Sequence, residues 1–167
     1  MSVYRPVLAT LAYAFDADRR RVLMIYKDAA LGDTERSKYN GVGGKLEPGE
    51  NVVAGMRREF TEETGLTATV YSLRGTVSWP GFGSDQESWF GFVFRVDAWT
   101  GQVLEQSAEG RLEWIDLDRL LGLDLPMWPG DRHFLPLVFD PQVSSFHGVL
   151  PYDNGQPVGW EVDLVPA

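Results

Sequence analysis

Two apolar runs separated by a short polar segment open the chain. The runs are "VLATLAYAF" (residues 7–15) and "RVLMIY" (residues 21–26), with "DADRR" between them. Continuous or alternating apolar residues over such lengths are typical of buried strands, so the pattern predicts a strand, a turn and a second strand. Residues 28–38 then show no sustained periodicity, which indicates a long connection of the kind that often forms a lid or a binding loop.

A helix is predicted between Asn51 and Gly65. Asn51 precedes the periodic segment and can act as its N-cap, while Gly65 suits the position just past the C-terminus. Val53, Met56 and Phe60 are spaced i, i+3 and i+7, which places them in one apolar stripe. The helix is therefore expected to pack through this stripe.

The second half of the chain alternates between strand and helix patterns. Strands are predicted in "TATVYSLRGTVSW" and "ESWFGFVFRV", a strand running into a short helix in "RLEWIDLDRLLGL", and a further helix in "DRHFLPLVFD". Asn154 and Gly155, between two apolar runs, form the strongest hairpin signal in the chain. Without internal repeats or linkers, the pattern predicts one mixed α/β domain over residues 1–167.

Composition narrows the class of protein. The absence of cysteine excludes disulfides, thiolate catalysis and cysteine-bound zinc. No apolar stretch approaches the roughly 18 to 20 residues that span a bilayer, and the first residues lack a signal-peptide pattern, so a cytoplasmic protein without a membrane partner is expected. The formal net charge of −9 argues against a stable nucleic-acid complex. It is compatible with a polyphosphate ligand, because divalent cations can sit between carboxylates and phosphates.

Three carboxylates share one face of the predicted helix. Glu62 and Glu63 are the i+3 and i+4 neighbours of Glu59, and like charges so close cost roughly a few tenths of a kcal/mol per pair. One interpretation is a solvated acidic face relieved by Arg57 and Arg58. The other is a metal site. The glycine-rich "NGVGGK" just upstream lets backbone carbonyls approach a ligand, and oxygen ligands suit Mg²⁺ or Mn²⁺.

Residues 44–66 resemble the signature of the Nudix hydrolases, G-x5-E-x7-R-E-U-x-E-E-x-G-U, in which U is apolar. Every defined position is satisfied, by Gly44, Glu50, Arg58, Glu59, Phe60, Glu62, Glu63, Gly65 and Leu66. The resemblance implies a Nudix-type α/β/α sandwich with a mixed β-sheet and a loop-helix unit that carries the signature. It also implies an enzyme that cleaves a nucleoside diphosphate linked to a further group, by attack of water on phosphorus with two or three Mg²⁺ or Mn²⁺ ions.

The resemblance assigns a metal centre to residues of the signature and its flank. Glu59 and Glu63 should bind the metal directly, and Glu62 should lie nearby or bridge through water. The carbonyl of Gly43 should be a further ligand.

Further charged residues are expected around this centre. By the same resemblance, Arg58 should orient a carboxylate of the signature and pair with Glu50, although both could form a plain surface salt bridge. Outside the signature, Glu109 is a candidate metal ligand or catalytic base, or else a solvated loop residue. Lys45 is a candidate phosphate contact, or else a solvated lysine.

Beyond the signature, "MWPGDRHFLPLVF" and "FHGVLPY" extend the resemblance to the MutT-type subgroup, which hydrolyses oxidised purine nucleoside triphosphates such as 8-oxo-dGTP. The resemblance implies that Asn40 and Asp131 read the purine edge and that Trp128 stacks on the base. Trp79 and Phe82 are candidates for the pocket walls. Asn40 could instead cap the glycine turn, and Trp128 could belong to the core.

One position departs from the subgroup. Some close relatives have two adjacent acidic residues after Trp-Pro, whereas here Gly130 takes the first position and only Asp131 remains. The preference between oxidised guanine, oxidised adenine and ordinary bases is therefore open. His133 and His147 are predicted to be structural, because neither has metal-ligand spacing to another histidine.

The leading prediction is a Mg²⁺-dependent hydrolase of oxidised purine nucleoside triphosphates, a monomer or homodimer that sanitises the nucleotide pool. Within the same enzyme class, the alternative is hydrolysis of ADP-ribose or dinucleotide polyphosphates. In another class, the alternative is a catalytically silent Nudix module that senses a nucleotide. The intact glutamates of the signature favour the enzyme.

Overall fold

The computed structural model describes residues 2–27, 37–122 and 124–167. The elements are β1 (Val7–Phe15), β2 (Arg21–Lys27), β3 (Lys38–Asn40), α1 (Val52–Thr64), β4 (Leu66–Trp79), β5 (Trp89–Gly101), β6 (Arg111–Asp116), α2 (Leu117–Leu121), α3 (Asp131–Phe139), β7 (Val143–Val149), β8 (Tyr152–Asp153), β9 (Gln156–Pro157) and β10 (Glu161–Pro166). None of the helices in these ranges is long and apolar enough to cross a membrane. The connection predicted over residues 28–38 lies outside the described residues, apart from its last two.

The main sheet is mixed. Seven strands follow the order β10-β7-β4-β5-β1-β2-β3, and β6 pairs with β2. The β1–β5 and β4–β7 pairs are parallel, and the other pairs are antiparallel. Strand β5 runs to Gly101, five residues past the predicted end, because it pairs with β4 from Trp89 at one end to Gly101 at the other.

Helices cover both faces of this sheet. In β1 the side chains alternate between the two faces, so that Ala12 and Ala14 pack with the α1 residues Met56 and Phe60. Tyr13, from the same strand, belongs to the opposite core, which also contains residues of α2 and α3. Burial of both faces accounts for the long apolar runs in the sequence. The predicted α/β/α sandwich is confirmed.

Local signals set the ends of α1 and the tightest turn. The Asn51 side chain accepts hydrogen bonds from the backbone N–H groups of Val53 and Ala54, and Gly65 ends the helix with φ 77°. Asn154 and Gly155 connect β8 to β9 with φ values of 49° and 76°, the left-handed pair that a two-residue hairpin turn requires. The predicted caps and the predicted hairpin turn are confirmed.

A buried arginine joins the sheet to the end of α3. The Arg74 guanidinium, on β4, donates to the backbone carbonyls of Val138 at 3.0 Å, Asp140 at 2.9 Å and Val143 at 2.6 Å. These carbonyls lie at the end of α3 and in the connection to β7, where helical partners are lacking. Arg74 therefore fixes the end of the helix whose first residue is Asp131.

Candidate active site

The three carboxylates of α1 occupy different environments. Glu63 is buried, with 5% of its surface exposed. The Glu59 side chain is 16% exposed and that of Glu62 is 60% exposed. Helical spacing places all three on one face, as predicted, but only Glu59 and Glu63 turn toward the body of the protein.

The glycine turn lies directly against these two carboxylates. The backbone N–H of Gly43 donates to Glu63 Oε2 at 3.1 Å. A Cβ atom on Gly44 would lie 2.6 Å from the Glu59 carboxylate, and one on Gly43 would collide with the carbonyl oxygen of Thr10 in β1. The turn is therefore held between β1 and α1, in a space that admits no side chain at either position.

Arg58 links the signature into one hydrogen-bonded unit. Its Nη2 and Nε donate to the two carboxylate oxygens of Glu50 at 2.6 and 3.0 Å, and its Nη1 donates to Glu59 Oε1 at 2.7 Å. A further bond of 3.2 Å runs from Nη2 to the Lys45 carbonyl. The guanidinium, followed by the Glu47 N–H, lowers the pKa of Glu50 to about 2. Glu50 is thus a permanent anion that holds Arg58 beside Glu59.

The negative charge of the buried Glu63 side chain is only partly compensated by its surroundings. Its pKa is raised to about 7, chiefly by burial; Lys27 and the Gly43 N–H act to lower this pKa, and the charges of Glu59 and Glu109 act to raise it. A bound cation would remove this penalty, and carboxylate and carbonyl oxygens are the ligands that Mg²⁺ and Mn²⁺ prefer. The residues present therefore fit a hard divalent cation.

The predicted metal ligands do not form a closed cluster. Within the described ranges, no group of three or more histidine, aspartate or glutamate side chains has an arrangement that could hold a metal ion. Arg58 engages Glu59, and Lys27 Nζ forms an ion pair with Glu109 Oε2 at 3.1 Å. Without the positive charges of Arg58 and Lys27, the neighbouring carboxylates would repel one another. The metal-binding roles of Gly43, Glu59, Glu62, Glu63 and Glu109 stay predictions.

A cavity of about 720 Å³ adjoins the carboxylates. Five residues predicted for the base pocket line it, namely Asn40, Trp79, Phe82, Trp128 and Asp131, and Gly43 and Glu109 line it as well. Lys45 is exposed, with its Nζ 5.3 Å from the centre of the Trp89 ring, and Trp89 also lines the cavity. One continuous space thus runs from the glycine turn to the aromatic residues.

Aromatic rings form one wall of this cavity. The Phe82 ring lies edge-on to Trp128 at 5.0 Å and to Tyr152 at 5.1 Å, and it is tilted against Trp79 at 6.2 Å. Edge-to-face contacts of this kind hold the rings at defined angles. The wall presents apolar surface on which a nucleobase can stack.

Asn40 is held by two hydrogen bonds. Trp128 Nε1 donates to Asn40 Oδ1 at 3.1 Å, and Asn40 Nδ2 donates to the Lys38 carbonyl at 3.1 Å. The second bond turns back along β3, and neither bond reaches residues 41–45, so these two bonds do not cap the glycine turn.

The residues at the start of α3 explain the departure at position 130. A Cβ atom on Gly130 would collide with the Tyr152 hydroxyl, which accepts a hydrogen bond from the Gly130 N–H at 3.1 Å. Tyr152 therefore occupies the space into which a side chain at this position would extend. Asp131 follows in the cavity wall, where burial raises its pKa to about 7.

Comparison with known proteins places this geometry in a family. The NUDIX domain model matches residues 5–138. The chain belongs to the Nudix hydrolase family. The predictions of the family, of an enzyme that acts on phosphoanhydride bonds and of MutT-type similarity are confirmed.

Three relatives show how far the similarity of this Nudix hydrolase extends. YvcI of Bacillus subtilis, an uncharacterised Nudix hydrolase, is 37% identical over 124 residues, which are 73% of this chain and 77% of the relative. The oxidised purine nucleoside triphosphate hydrolase of Mus musculus is 34% identical over 135 residues, 81% of each chain. The crystal structure of the MutT protein of Bacillus halodurans has a TM-score of 0.79 at 28% identity and covers 94% of this chain and 97% of its own.

Several cavity residues of this Nudix hydrolase were missed by the sequence analysis. Tyr13, Lys27, Lys38 and Trp89 all line the cavity. Each belongs to a strand, in which its residue type alone does not distinguish a cavity residue from a core or surface residue. Only strand pairing brings the four residues together. The hydroxyl of Tyr13, unpaired within the described part of the chain, distinguishes this residue from a core tyrosine, but the missing hydrogen bond can be recognised only once the surroundings of the side chain in the fold are known.

The two histidines lie in other surroundings. His133 stacks on Trp160 with ring centroids 5.6 Å apart. His147 Nδ1 shares a hydrogen bond of 2.9 Å with Thr76 Oγ1. These contacts are in keeping with the predicted structural roles.

Proposed function

We propose that this Nudix hydrolase converts purine nucleoside triphosphates, oxidised ones such as 8-oxo-dGTP among them, to the monophosphate and pyrophosphate in a Mg²⁺- or Mn²⁺-dependent reaction. The observation that carries the proposal is that one cavity is lined both by the glycine turn and by Asn40, Asp131 and the aromatic rings. A nucleoside triphosphate has these two parts, a charged polyphosphate and an aromatic base. The name of the mouse relative, an oxidised purine nucleoside triphosphate hydrolase, supports the same class of substrate.

The residues at the aromatic end of the cavity would bind the nucleobase and orient it. Asn40 offers one donor and one acceptor beyond its bonds within the protein, and Asp131 adds a carboxyl group. Phe82, Trp79 and Trp128 supply a stacking surface that excludes water from one face of the base. A base held in this way places the phosphates along the glycine turn.

The phosphate end supplies charge. Glu59 and Glu63 would hold the divalent cations, two or three with substrate bound, together with the Gly43 carbonyl. When bound, these ions neutralise phosphate oxygens and activate the attacking water. Arg58, held by its bidentate pair with Glu50, would keep the Glu59 carboxylate in one orientation, a role that these hydrogen bonds support.

Other charged groups complete the proposal. Glu109, which is 54% exposed and paired with Lys27, would act as a further ligand or as the catalytic base once that pair opens. Glu62, the most exposed of the three carboxylates on α1, would act through water. Lys45 would contact a phosphate. A single domain, a cytoplasmic location and a monomeric or homodimeric state stay predictions.

The direct test is turnover of a nucleotide panel. The purified protein is incubated with dNTPs, 8-oxo-dGTP, ADP-ribose and dinucleotide polyphosphates, with Mg²⁺, with Mn²⁺ and with a chelator, and the products are separated by ion-exchange chromatography. Monophosphate and pyrophosphate from purine triphosphates, in the presence of the metal, are expected. Preferential cleavage of ADP-ribose would overturn the substrate assignment. Binding of a nucleotide without any turnover would overturn the proposed hydrolytic activity.

Two isosteric variants test the metal centre. Glu59→Gln and Glu63→Gln should each abolish hydrolysis and leave the circular dichroism spectrum unchanged, because they remove a charge at constant shape. Glu161→Gln, on the exposed edge strand β10, is the matched control and should keep full activity. Near-native rates in either signature variant would refute the ligand assignment.

A further inference from the structure

Unpartnered polar atoms concentrate in the cavity. Among the described residues, four buried side-chain atoms lack a hydrogen-bond partner: Thr10 Oγ1, Tyr13 OH, Ser72 Oγ and Trp89 Nε1. Three of the four residues, all except Ser72, line the cavity. Buried polar groups are normally paired, so a cluster of exceptions at a cavity wall indicates groups that bind a ligand.

Tyr13 is the most buried of the three. Its residue surface is fully buried, and its ring contacts the backbone of Gly41 so closely that a Cβ there would lie 2.8 Å from Cε1 and Cζ. Phe139 also meets the ring edge-on, with ring centroids 6.2 Å apart. The ring has no room to turn, so its hydroxyl is held at one point of the cavity wall.

Tyr13 and Asp131 line the same cavity. Burial, and then the charge of Asp131, raises the pKa of Tyr13 well above its usual value. The phenol therefore stays protonated and can donate, whereas an ionised carboxylate can only accept. The cavity wall thus carries a donor from Tyr13 and an acceptor from Asp131.

We propose that Tyr13 is a further specificity-determining residue, whose hydroxyl donates to the 6-oxo group of a purine while Asp131 accepts from the neighbouring ring N–H. This inference rests on the proposed function and narrows it to 6-oxopurine nucleoside triphosphates. Guanine-type bases present a carbonyl oxygen beside an N–H, which complements the two side chains. Adenine-type bases present an amino group beside a ring nitrogen lone pair, which would face the ionised Asp131.

Tyr13→Phe is the decisive variant, assayed at pH 8. It removes one hydroxyl and keeps the ring that packs on Gly41. For dGTP and 8-oxo-dGTP, kcat/KM should fall by at least about tenfold, mainly through KM, as expected for the loss of a hydrogen bond in a dry site. For dATP, kcat/KM should change by less than about twofold, and Tm should stay the same or rise, since no group of the described residues forms a hydrogen bond with this hydroxyl.

Two controls separate recognition from packing. Tyr71→Phe removes a hydroxyl beside the opposite core and should leave every rate unchanged. The wild-type enzyme with 2-aminopurine deoxyribonucleoside triphosphate, which lacks both the 6-oxo group and the neighbouring ring N–H, should show a larger loss than Tyr13→Phe with dGTP, and Tyr13→Phe should not lower its rate with this nucleotide further. The wild-type measurement in this second arm needs no variant to fold.

The outcomes distinguish the inference from the proposed function. If the wild type hydrolyses no purine triphosphate, the proposed function fails and the inference fails with it. If the wild type is active and Tyr13→Phe matches it on every nucleotide, the inference alone is overturned. An equal loss with dATP and dGTP would also overturn it, because a packing defect does not discriminate between bases.

Discussion

Trp128 Nε1 donates a 3.1 Å hydrogen bond to Asn40 Oδ1 across 88 positions of sequence. An indole nitrogen can only donate, so the bond fixes which end of the Asn40 amide carries oxygen. The amide nitrogen is fixed in turn by its bond to the Lys38 carbonyl. Asn40 is left with one acceptor position and one donor position, in known places, which the proposed function assigns to the base.

Asn40→Ala should therefore relax base selection without stopping the reaction. The ratio of kcat/KM for 8-oxo-dGTP to that for dGTP should move toward unity by about tenfold, the value of one or two hydrogen bonds. Steady-state kinetics with both substrates measures this ratio. Trp128→Phe keeps a ring but frees the amide, so a smaller loss of selectivity is expected. Unchanged selectivity in Asn40→Ala would remove Asn40 from the base site.

Arg58→Lys should lower activity although the charge is kept. Lysine cannot reproduce the bidentate bond to Glu50 together with the bond to Glu59, so the carboxylate loses its fixed orientation. We expect kcat to fall roughly 10- to 100-fold, as for other partners that orient metal ligands. Arg57→Lys, on the exposed side of α1, is the matched control. Equal kcat values in the two variants would contradict the positioning role.

Arg74→Met should destabilise the fold more than it affects catalysis. The variant leaves backbone carbonyls at the end of α3 without a buried donor. A loss on the order of 3 kcal/mol in the free energy of unfolding is expected, measured by urea denaturation. Arg20→Met, at an exposed turn, should change it by less than about 0.5 kcal/mol. A loss equally small in Arg74→Met would show that water replaces the guanidinium.

Asp131 should make stability depend on pH. Burial raises its pKa from the ordinary 3.8 to about 7 in the folded protein, so the folded state binds a proton more tightly than the unfolded state. Its contribution to stability is full below about pH 4 and is lost as the pH rises through about 7. Relative to Asp131→Asn, the wild type should lose a few degrees of Tm between pH 5 and pH 8.

The Asp131 comparison isolates one carboxyl group. Glu63 also has a raised pKa and shifts stability in the same direction, but it is present in both proteins and cancels in the difference. Differential scanning fluorimetry of the two proteins over this range makes the measurement. A Tm difference that stays constant with pH would mean that Asp131 ionises as freely in the folded chain as in the unfolded one.

Local chemistry makes part of this protein readable without a structure. Asn51 and Gly65 end α1 through bonds and backbone angles within a few residues, and Asn154 with Gly155 sets a turn by its own φ values. The Nudix signature is equally local, because the spacing of one helix places Glu59, Glu62 and Glu63 on one face. Such features need no knowledge of what packs nearby.

Tertiary packing decided what these residues can do. Glu63 is buried and Glu62 exposed because the glycine turn, brought in by β1, covers only one of two neighbouring carboxylates. Tyr13 faces the cavity because strand alternation sends it away from Ala12 and toward α3. Whether a polar atom has a partner is a relation between distant segments. The sequence by itself determined the family, the main elements and the carboxylate face, while the lining of the cavity and the burial of Glu63 depend on contacts that only the folded chain makes.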